Sequence, residues 1–329
     1  MDLSNPSHLS YLSYLLSSRP MTVIGIDAGG TKTVCLVADE DGNVLAESRG
    51  PGANLLSIGE QRVEAALRAA IGPALAGSTD RIDAVCLGMA GVDQAREADT
   101  VRQVLTRIGH FGQTLVVSDS LIALEAGAPG SPGVVVATGT GSIAYGRDAR
   151  GRAARAGGWG YVLADEGSGF WLGKEAIRAV LRAADRRGPA TALTEPVLRH
   201  FGVRRPQDVG REVYRDGVRP AAIAELAPLV EAAAAGGDAA ARDLLDEAAR
   251  ELTLLAVSVV EQLNLPEGPI VLAGGTFRAA PTLVTAVVSA IESRLPRAVT
   301  RVLDVEPAYG AVRLAIALVQ GDLRVPVYA

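Results

Sequence analysis

A glycine- and hydroxyl-rich turn between two apolar strands is the feature that most constrains this chain. The turn spans residues 27–33 (Asp-Ala-Gly-Gly-Thr-Lys-Thr), follows the apolar run 22–26 and precedes a second run that begins at Val34. Glycine has no Cβ and adopts positive φ, so a polyphosphate can approach the backbone N–H groups and the threonine hydroxyls closely. Asp27 would face the hydrated metal that accompanies such a ligand. Residues 27–33 are termed the first hairpin, and a glycine turn with a structural Asp is the alternative.

A similar segment opens the second half of the chain. Residues 138–142 (Thr-Gly-Thr-Gly-Ser), termed the second hairpin, lie between the apolar runs 133–137 and 143–145. The match Gly139-x-Gly141-x-x-Ala144 has the spacing of a dinucleotide fingerprint, but that motif requires a helix where a hairpin is predicted here. No Gly-x4-Gly-Lys-Ser/Thr loop is present either. We therefore expect two hairpins that together hold the phosphates of a nucleotide.

Composition excludes several other classes of function. The 329 residues are 48% hydrophobic and 21% charged, which suits one large or two medium domains, and the duplicated opening favours two. A net charge of −5 and 4% aromatic residues argue against a nucleic-acid surface. Cys35 and Cys86 lie in apolar strand-like runs, so we predict reduced core residues.

The first 20 residues differ from the rest of the chain. They are rich in Ser, Leu and Tyr, and they lack the basic start and long apolar core of a secretion signal. They are also too polar to span a bilayer, and no other apolar run reaches that length. An amphipathic N-terminal extension and a misassigned start upstream of Met21 are both open. We expect a cytoplasmic protein with no membrane partner.

Periodicity predicts the same order of elements in both halves. The first half has three strands over 22–50, and its later elements alternate: helix 58–76, strand 82–87, helix 94–108, strand 114–117 and helix 121–126. The second half repeats three strands over 133–156, followed by strand 269–273, helix 280–293, strand 298–303 and helix 309–319. We therefore predict α/β domains at 21–130 and 131–308, with a helical insertion at about 167–263 and a C-terminal helix, 309–325, that packs back on the first domain. This order resembles that of the duplicated actin-like ATPase (ribonuclease H-like) fold, and the resemblance implies a nucleotide and a sugar in the cleft between the domains.

Asp119 is the candidate catalytic residue. It closes the apolar strand 115–118 and precedes a predicted helix. A carboxylate at the carboxyl end of such a strand points into the ligand cleft of an open α/β sheet. There it would act as general base toward a sugar hydroxyl during phosphoryl transfer. The alternative is that Asp119 caps the helix at Leu121.

A second polar cluster lies at 157–171. Asp165 could accept hydrogen bonds from two neighbouring sugar hydroxyls, which a polar site rewards because an unpaired buried group is costly. The alternative is that Asp165 and Ser168 only cap the helix predicted from Gly169.

Several motifs in this order resemble the N-acetylglucosamine kinases of the BadF/BadG/BcrA/BcrD-type ATPase family. They are the two hairpins, Met89-Ala90-Gly91, Ser118-Asp119, Gly158-Trp159-Gly160 and Asp165-Glu166-Gly167-Ser168. The resemblance covers the chain from about Met21 to the C-terminal helix, and the helical insertion matches only in length and character.

The resemblance implies residue roles. Asp119 would be the base, Asn54 and Asp165 would bind sugar hydroxyls, and Gly169 would lie near the amide substituent. The substrate-binding residues implied are Asn54, Ala90, Gly91, Trp159, Gly160, Asp165, Ser168 and Gly169. The ATP-binding residues implied are Gly29, Gly30, Thr31, Lys32, Thr33, Thr138, Gly139, Thr140, Gly141, Ser142, Gly274 and Gly275. For Gly274 and Gly275, an ordinary strand-to-helix turn is the alternative.

The function expected is ATP-dependent phosphorylation of N-acetylglucosamine, or a close analogue, at the 6-hydroxyl by a homodimer. Mg²⁺ would lie near Asp27 and Asp119, mainly through water. Glucosamine and N-acetylmuramic acid are alternative substrates. An ATPase that regulates a partner, such as a reductase activator with a shared [4Fe–4S] cluster, is a rival, but Cys35 and Cys86 lie in core strands. A sugar-sensing module without catalysis is disfavoured because Asp119 and both hairpins are intact.

Overall fold

A computed structural model describes residues 20–76, 81–92, 95–215 and 217–328. The predicted N-terminal extension therefore lies outside the described residues, apart from Pro20. The strands are β1 (Thr22–Ala28), β2 (Lys32–Asp39), β3 (Val44–Pro51), β4 (Ala84–Met89), β5 (Gln113–Ser118), β6 (Gly133–Thr138), β7 (Ser142–Arg147), β8 (Arg152–Gly157), β9 (Pro269–Ala273), β10 (Val299–Val302) and β11 (Val327–Tyr328). The helices are α1 (Leu55–Ile58), α2 (Glu60–Ala74), α3 (Ala95–Ile108), α4 (Asp119–Gly127), α5 (Gly169–Ala184), α6 (Thr194–Phe201), α7 (Pro206–Tyr214), α8 (Pro220–Ala224), α9 (Ala227–Ala235), α10 (Ala239–Leu263), α11 (Gly275–Ala279), α12 (Pro281–Arg294) and α13 (Ala308–Gln320).

The first sheet has the strand order β3-β2-β1-β4-β5. β1 and β2 are antiparallel, whereas β1, β4 and β5 run parallel. β1 and β4 are buried along their whole length, as expected for parallel strands covered on both faces. Their register places Ala28 beside Met89 and Met89 beside Ser118. The carboxyl ends of these three strands therefore form one edge.

The second sheet repeats this arrangement with the order β10-β9-β6-β7-β8-β11. β6, β7 and β8 are antiparallel, and β6 runs parallel to β9 with Ala137 beside Ala273. The edge strand β11, which pairs with β8, is an addition that the sequence pattern did not predict. Its two residues are too few to show a period.

α4 and α13 lie between the two sheets. A single hydrophobic core joins both helices to both sheets, and its members include Val23, Leu36, Cys86, Leu121, Leu124, Val135, Val271, Ala311 and Ala315. The predicted helix 309–325 ends earlier, at Gln320, where Gly321 adopts the left-handed conformation that terminates helices. The chain passes from the first sheet to the second at residues 128–132 after α4. Residues 303–307 form a crossover that leads from β10 of the second sheet into α13, and the chain then returns to the second sheet at β11.

Helices α4 and α13 pack so closely that their backbones are in contact. A Cβ on Gly310 of α13 would lie 1.9 Å from the carbonyl oxygen of Ile122 in α4, and one on Gly25 of β1 would lie 2.5 Å from the backbone nitrogen of Val312. Neither position can carry a side chain without a shift of the helix axis. Glycine at these positions therefore fixes how closely α13 packs on α4 and on the first sheet.

The predicted helical insertion covers the outer face of the second sheet. α5 to α10 occupy Gly169–Leu263 and form a separate core, in which buried alanines of α10 such as Ala248 and Ala256 allow close packing. A third core lies under α2 and α3 and contains Cys35. Within the described part of the chain, no helix combines the length and the apolar character needed to cross a bilayer.

Gly310→Ala should lower the free energy of unfolding by about 1–3 kcal/mol, because the added methyl group overpacks the contact between α13 and α4. The matched control is Gly210→Ala, which lies inside α7 with no atom within 4 Å of the new Cβ. That control should be neutral or more stable, since alanine is the better helix former. Urea denaturation of both variants measures the difference. Equal stabilities would contradict the close contact.

Candidate active site

The carboxyl edge of the first sheet brings three predicted segments together. Asp27 is the penultimate residue of β1, Ala90 and Gly91 follow β4, and Asp119 follows β5. Because the register aligns these strand ends, the three segments lie side by side. The backbone N–H of Ala90 donates to the carbonyl of Ala28 at 3.2 Å, which joins two of them directly.

Asp27 has the most perturbed carboxyl of this edge. Burial, together with the negative charges of Asp119 and Glu306, raises its pKa to about 7, although Lys32 and Arg278 act in the opposite direction. Such a group favours any positive charge that approaches, because a cation offsets both the desolvation and the repulsion.

The carboxylates of this edge fit a magnesium ion that arrives with a nucleotide. Mg²⁺ in phosphoryl-transfer sites is bound by one or two carboxylates together with substrate phosphates and water. Asp27 and Asp119 would supply these two carboxylates. The described residues contain no group of three or more His, Cys, Asp or Glu side chains that would hold a metal alone.

Asp119 is the first residue of α4, and it does not cap this helix. The cap is Ser118, whose hydroxyl accepts a hydrogen bond from the backbone N–H of Leu121 at 3.3 Å. The alternative that Asp119 caps this helix is therefore wrong, because the cap is the residue before it. The Asp119 carboxylate instead accepts a hydrogen bond from the Ser120 hydroxyl at 3.2 Å.

The first hairpin presents fewer hydroxyls than the sequence suggested. Gly30 and Thr31 are exposed, but Thr33 is buried and its hydroxyl donates to the carbonyl of Pro51 at 2.7 Å. Side chains alternate along a strand, so Thr33 points to the face opposite Lys32. The Thr33 hydroxyl thus braces β2 against β3, and Thr31 is the hydroxyl on the outside.

Lys32 makes the longest-range contact of the hairpin. Its ammonium lies 2.6 Å and 2.8 Å from the two carboxylate oxygens of Glu306, in the crossover before α13. Arg49 of β3 lies 3.3 Å from the same carboxylate. These cations hold the pKa of Glu306 below its usual range, against the opposing effect of burial. Glu306 had no sequence signal, since 274 residues separate it from Lys32.

The second hairpin is tied to its surroundings through hydroxyls and a carbonyl. Thr138 and Ser142 donate to the carbonyls of Gly167 and Glu166, at 3.1 Å and 2.7 Å. The carbonyl of Gly139 accepts from the Gly169 N–H at 2.8 Å and the Thr276 hydroxyl at 3.0 Å. Gly139, Thr140 and Gly141 are half-buried, so the tip of this hairpin is the part that is accessible from solvent.

Gly274 lies directly against the second hairpin. Its φ is 110°, and a Cβ there would lie 2.1 Å from the carbonyl oxygen of Thr138. Gly275 begins the short helix α11, is exposed, and has no atom within 4 Å of a Cβ position. Gly274 is thus required by packing, whereas Gly275 leaves an open surface beside the hairpin.

Asp165 lies inside the loop between β8 and α5. It is 7% exposed, has a φ of 66°, and accepts hydrogen bonds from the backbone N–H groups of Ser142 and Gly160. Burial raises its pKa, and these hydrogen bonds limit the rise. Ser168 is the residue that caps α5, accepting from the Trp171 N–H at 3.1 Å. Asp165 therefore joins the second hairpin to this loop and does not cap the helix.

The remaining predicted substrate residues lie on two surface segments. Trp159 is 63% exposed, and the guanidinium of Arg155 lies 4.6 Å from its ring centroid. Gly160 follows with a φ of 87°. In the first half of the chain, Asn54 caps α1, and its side-chain oxygen accepts a hydrogen bond from the Ser57 N–H at 3.1 Å.

Two curated relatives resemble the chain over most of its length. An N-acetylmuramic acid/N-acetylglucosamine kinase of Clostridium acetobutylicum is 36% identical over 299 residues, which are 89% of this chain and 97% of that protein. An N-acetyl-D-glucosamine kinase of Dictyostelium discoideum is 32% identical, with the same two coverages.

Solved structures share the fold. A Chromobacterium violaceum protein described as a candidate N-acetylglucosamine kinase has a TM-score of 0.74 and 30% identity, covering 89% of this chain and 98% of its own. A ROK family glucokinase from Streptomyces griseus, in complex with glucose and AMPPNP, has a TM-score of 0.60 at 19% identity, covering 89% and 98%. The predicted duplicated actin-like ATPase fold is confirmed. The model of the BadF/BadG/BcrA/BcrD ATPase family matches residues 24–315, and this chain belongs to that family.

Proposed function

We propose that this protein is an ATP-dependent amino-sugar kinase that phosphorylates N-acetylglucosamine at its 6-hydroxyl. The observation that carries the proposal is the position of Asp119, at the start of α4 and within electrostatic range of Asp27. The names of the relatives from Clostridium acetobutylicum and Dictyostelium discoideum support the same substrate.

In the proposed reaction, Asp119 acts as general base. Its carboxylate accepts the proton of the 6-hydroxyl while that oxygen forms a bond to the γ-phosphorus and the bond from this phosphorus to the β-phosphate oxygen breaks. ADP and the sugar 6-phosphate are the products. Backbone N–H groups at the tips of both hairpins offset the charge on the phosphates. Mg²⁺, bound near Asp27 and Asp119 when the nucleotide is present, would neutralise phosphate charge.

The sugar is proposed to lie between Asn54 and the Ala90–Gly91 segment on one side and the loop 157–169 on the other. Trp159, Gly160, Asp165, Ser168 and Gly169 are the proposed residues of that loop. Asp165 accepts hydrogen bonds from the backbone N–H groups of Ser142 and Gly160. A sugar that contacts Asp165 would therefore also affect the position of Ser142 in the second hairpin. The domain boundaries 21–130 and 131–308 and the homodimer stay predictions.

The reductase-activator alternative has little support from the cysteines. Cys35 and Cys86 are both fully buried. Burial raises the pKa of the Cys35 thiol to about 12 and raises that of Cys86 further. Such thiols do not supply the accessible thiolates that an iron–sulfur cluster shared between subunits needs.

Asp119→Asn should lower the rate of N-acetylglucosamine phosphorylation by about 10²-fold or more, because the amide cannot accept the proton. Nucleotide affinity and the melting temperature should stay close to those of the wild type. A coupled assay of ADP release, run with and without the sugar, measures the change. Wild-type turnover in this variant would remove Asp119 from the mechanism.

A specific observation favours N-acetylmuramic acid as a second substrate. This sugar carries a carboxylate on its lactyl ether, and the Arg155 guanidinium lies against the exposed ring of Trp159, a residue of the proposed sugar loop. A cation held on an aromatic face is suited to pair with a carboxylate beside the sugar ring. The name of the Clostridium acetobutylicum relative includes this sugar.

Arg155→Gln should lower kcat/KM for N-acetylmuramic acid about 10-fold, the scale of a lost charged hydrogen bond, and leave kcat/KM for N-acetylglucosamine within about twofold. The matched control is Arg152→Gln on the same strand, whose guanidinium pairs with Asp148 at the far end of β8. That variant should treat both sugars as the wild type does. A parallel loss on both sugars in Arg155→Gln would contradict a role in carboxylate recognition.

A further inference from the structure

The contact between Lys32 and Glu306 joins the first hairpin to a crossover between the sheets. Both carboxylate oxygens of Glu306 lie within 2.8 Å of the Lys32 ammonium. The Glu306 side chain is 22% exposed and that of Lys32 is 37% exposed, so solvent screens this pair only in part. The backbone of Glu306 is held as well, because its carbonyl accepts from the Tyr309 N–H at 3.0 Å in the first turn of α13.

Glu306 gathers two cations at one place. Arg49 of β3 reaches the same carboxylate at 3.3 Å, so Lys32 and Arg49 lie together although they repel each other. The Glu47 carboxylate lies 2.9 Å from Arg49, so Glu306 and Glu47 together balance both cations, and the Lys32 ammonium lies in the hairpin whose residues Gly30 and Thr31 are exposed. An ammonium beside a glycine turn is suited to contact a polyphosphate.

We propose that Glu306 is a positioning residue that holds the Lys32 ammonium beside the first hairpin, ready to contact the phosphates of ATP. The proposal rests on the proposed function in one respect only, namely that the first hairpin binds a nucleotide. Without Glu306, Lys32 has a flexible four-carbon stem and a repelling neighbour in Arg49, so part of the binding energy would be used to order it.

The position of Glu306 gives this contact a further consequence. Residues 303–307 connect β10 of the second sheet to α13, which packs on the first sheet. A phosphate that draws on Lys32 therefore acts also on the segment that links the two sheets. The proposal thus links nucleotide binding at the first hairpin to residues 303–307 through the Lys32–Glu306 ion pair.

The test compares Glu306→Gln with the matched control Glu47→Gln. Glu47 is the other carboxylate that pairs with Arg49, at 2.9 Å, and it makes no contact with Lys32 in the described residues. Isothermal titration calorimetry with MgATP, in the absence of sugar, should show about a 5- to 10-fold weaker affinity for Glu306→Gln and wild-type affinity for Glu47→Gln, the scale of a lost ordering of one side chain. The KM for ATP should rise by the same factor, whereas the KM for the sugar should not change.

Two further variants make the result specific to Lys32. Lys32→Met should weaken ATP binding at least as much as Glu306→Gln, and the double variant should add little, because both remove one interaction. Glu306→Asp, which keeps the charge, should recover part of the affinity. Wild-type ATP affinity in Glu306→Gln, or additive losses in the double variant, would overturn the proposal, and so would wild-type affinity in Lys32→Met should Glu306→Gln fail to fold. A wild-type protein that binds ATP but phosphorylates no amino sugar would contradict the proposed function alone.

Discussion

The packing of α4 against α13 between the two sheets is the contact on which the cleft depends. The helices approach to backbone distance at Gly310 and Ile122. Asp119 is the first residue of α4, and Glu306 lies two residues before the start of α13. A carboxylate therefore lies at the amino end of each helix, and the helix packing fixes the spacing of these two carboxylates. The partial positive charge of a helix amino end also lies beside each of them.

The fold could be predicted from sequence because local hydrophobic patterns indicate most of its strands and helices. Runs such as 22–26 and 133–137 are buried strands, and the repeated order of elements indicated a duplication. Strand ends were less certain: β4 spans Ala84–Met89 where 82–87 was predicted, because Ile82 is buried without joining the sheet. The short helix α11 was missed because five residues show no helical period.

Prediction of the site was limited by side-chain direction and by long-range contacts. The sequence indicated Asp27, Asp119 and both hairpins as segments that meet. It did not show that Thr33, Thr138 and Ser142 use their hydroxyls to bond protein carbonyls. Alternation along β2 could have separated Thr33 from Lys32. No local pattern could have indicated Glu306, because its contact depends on the completed packing of α13 on the first sheet.

The exposed ring of Trp159 gives the molecule an optical reporter. The chain has two tryptophans, and both lie between the second hairpin and the first turn of α5. Trp171 is half-buried against the core of the insertion, whereas Trp159 is largely in solvent beside a guanidinium. The tryptophan fluorescence of the protein therefore arises from this one region, and a blue shift of that emission would follow the covering of the loop without any attached dye.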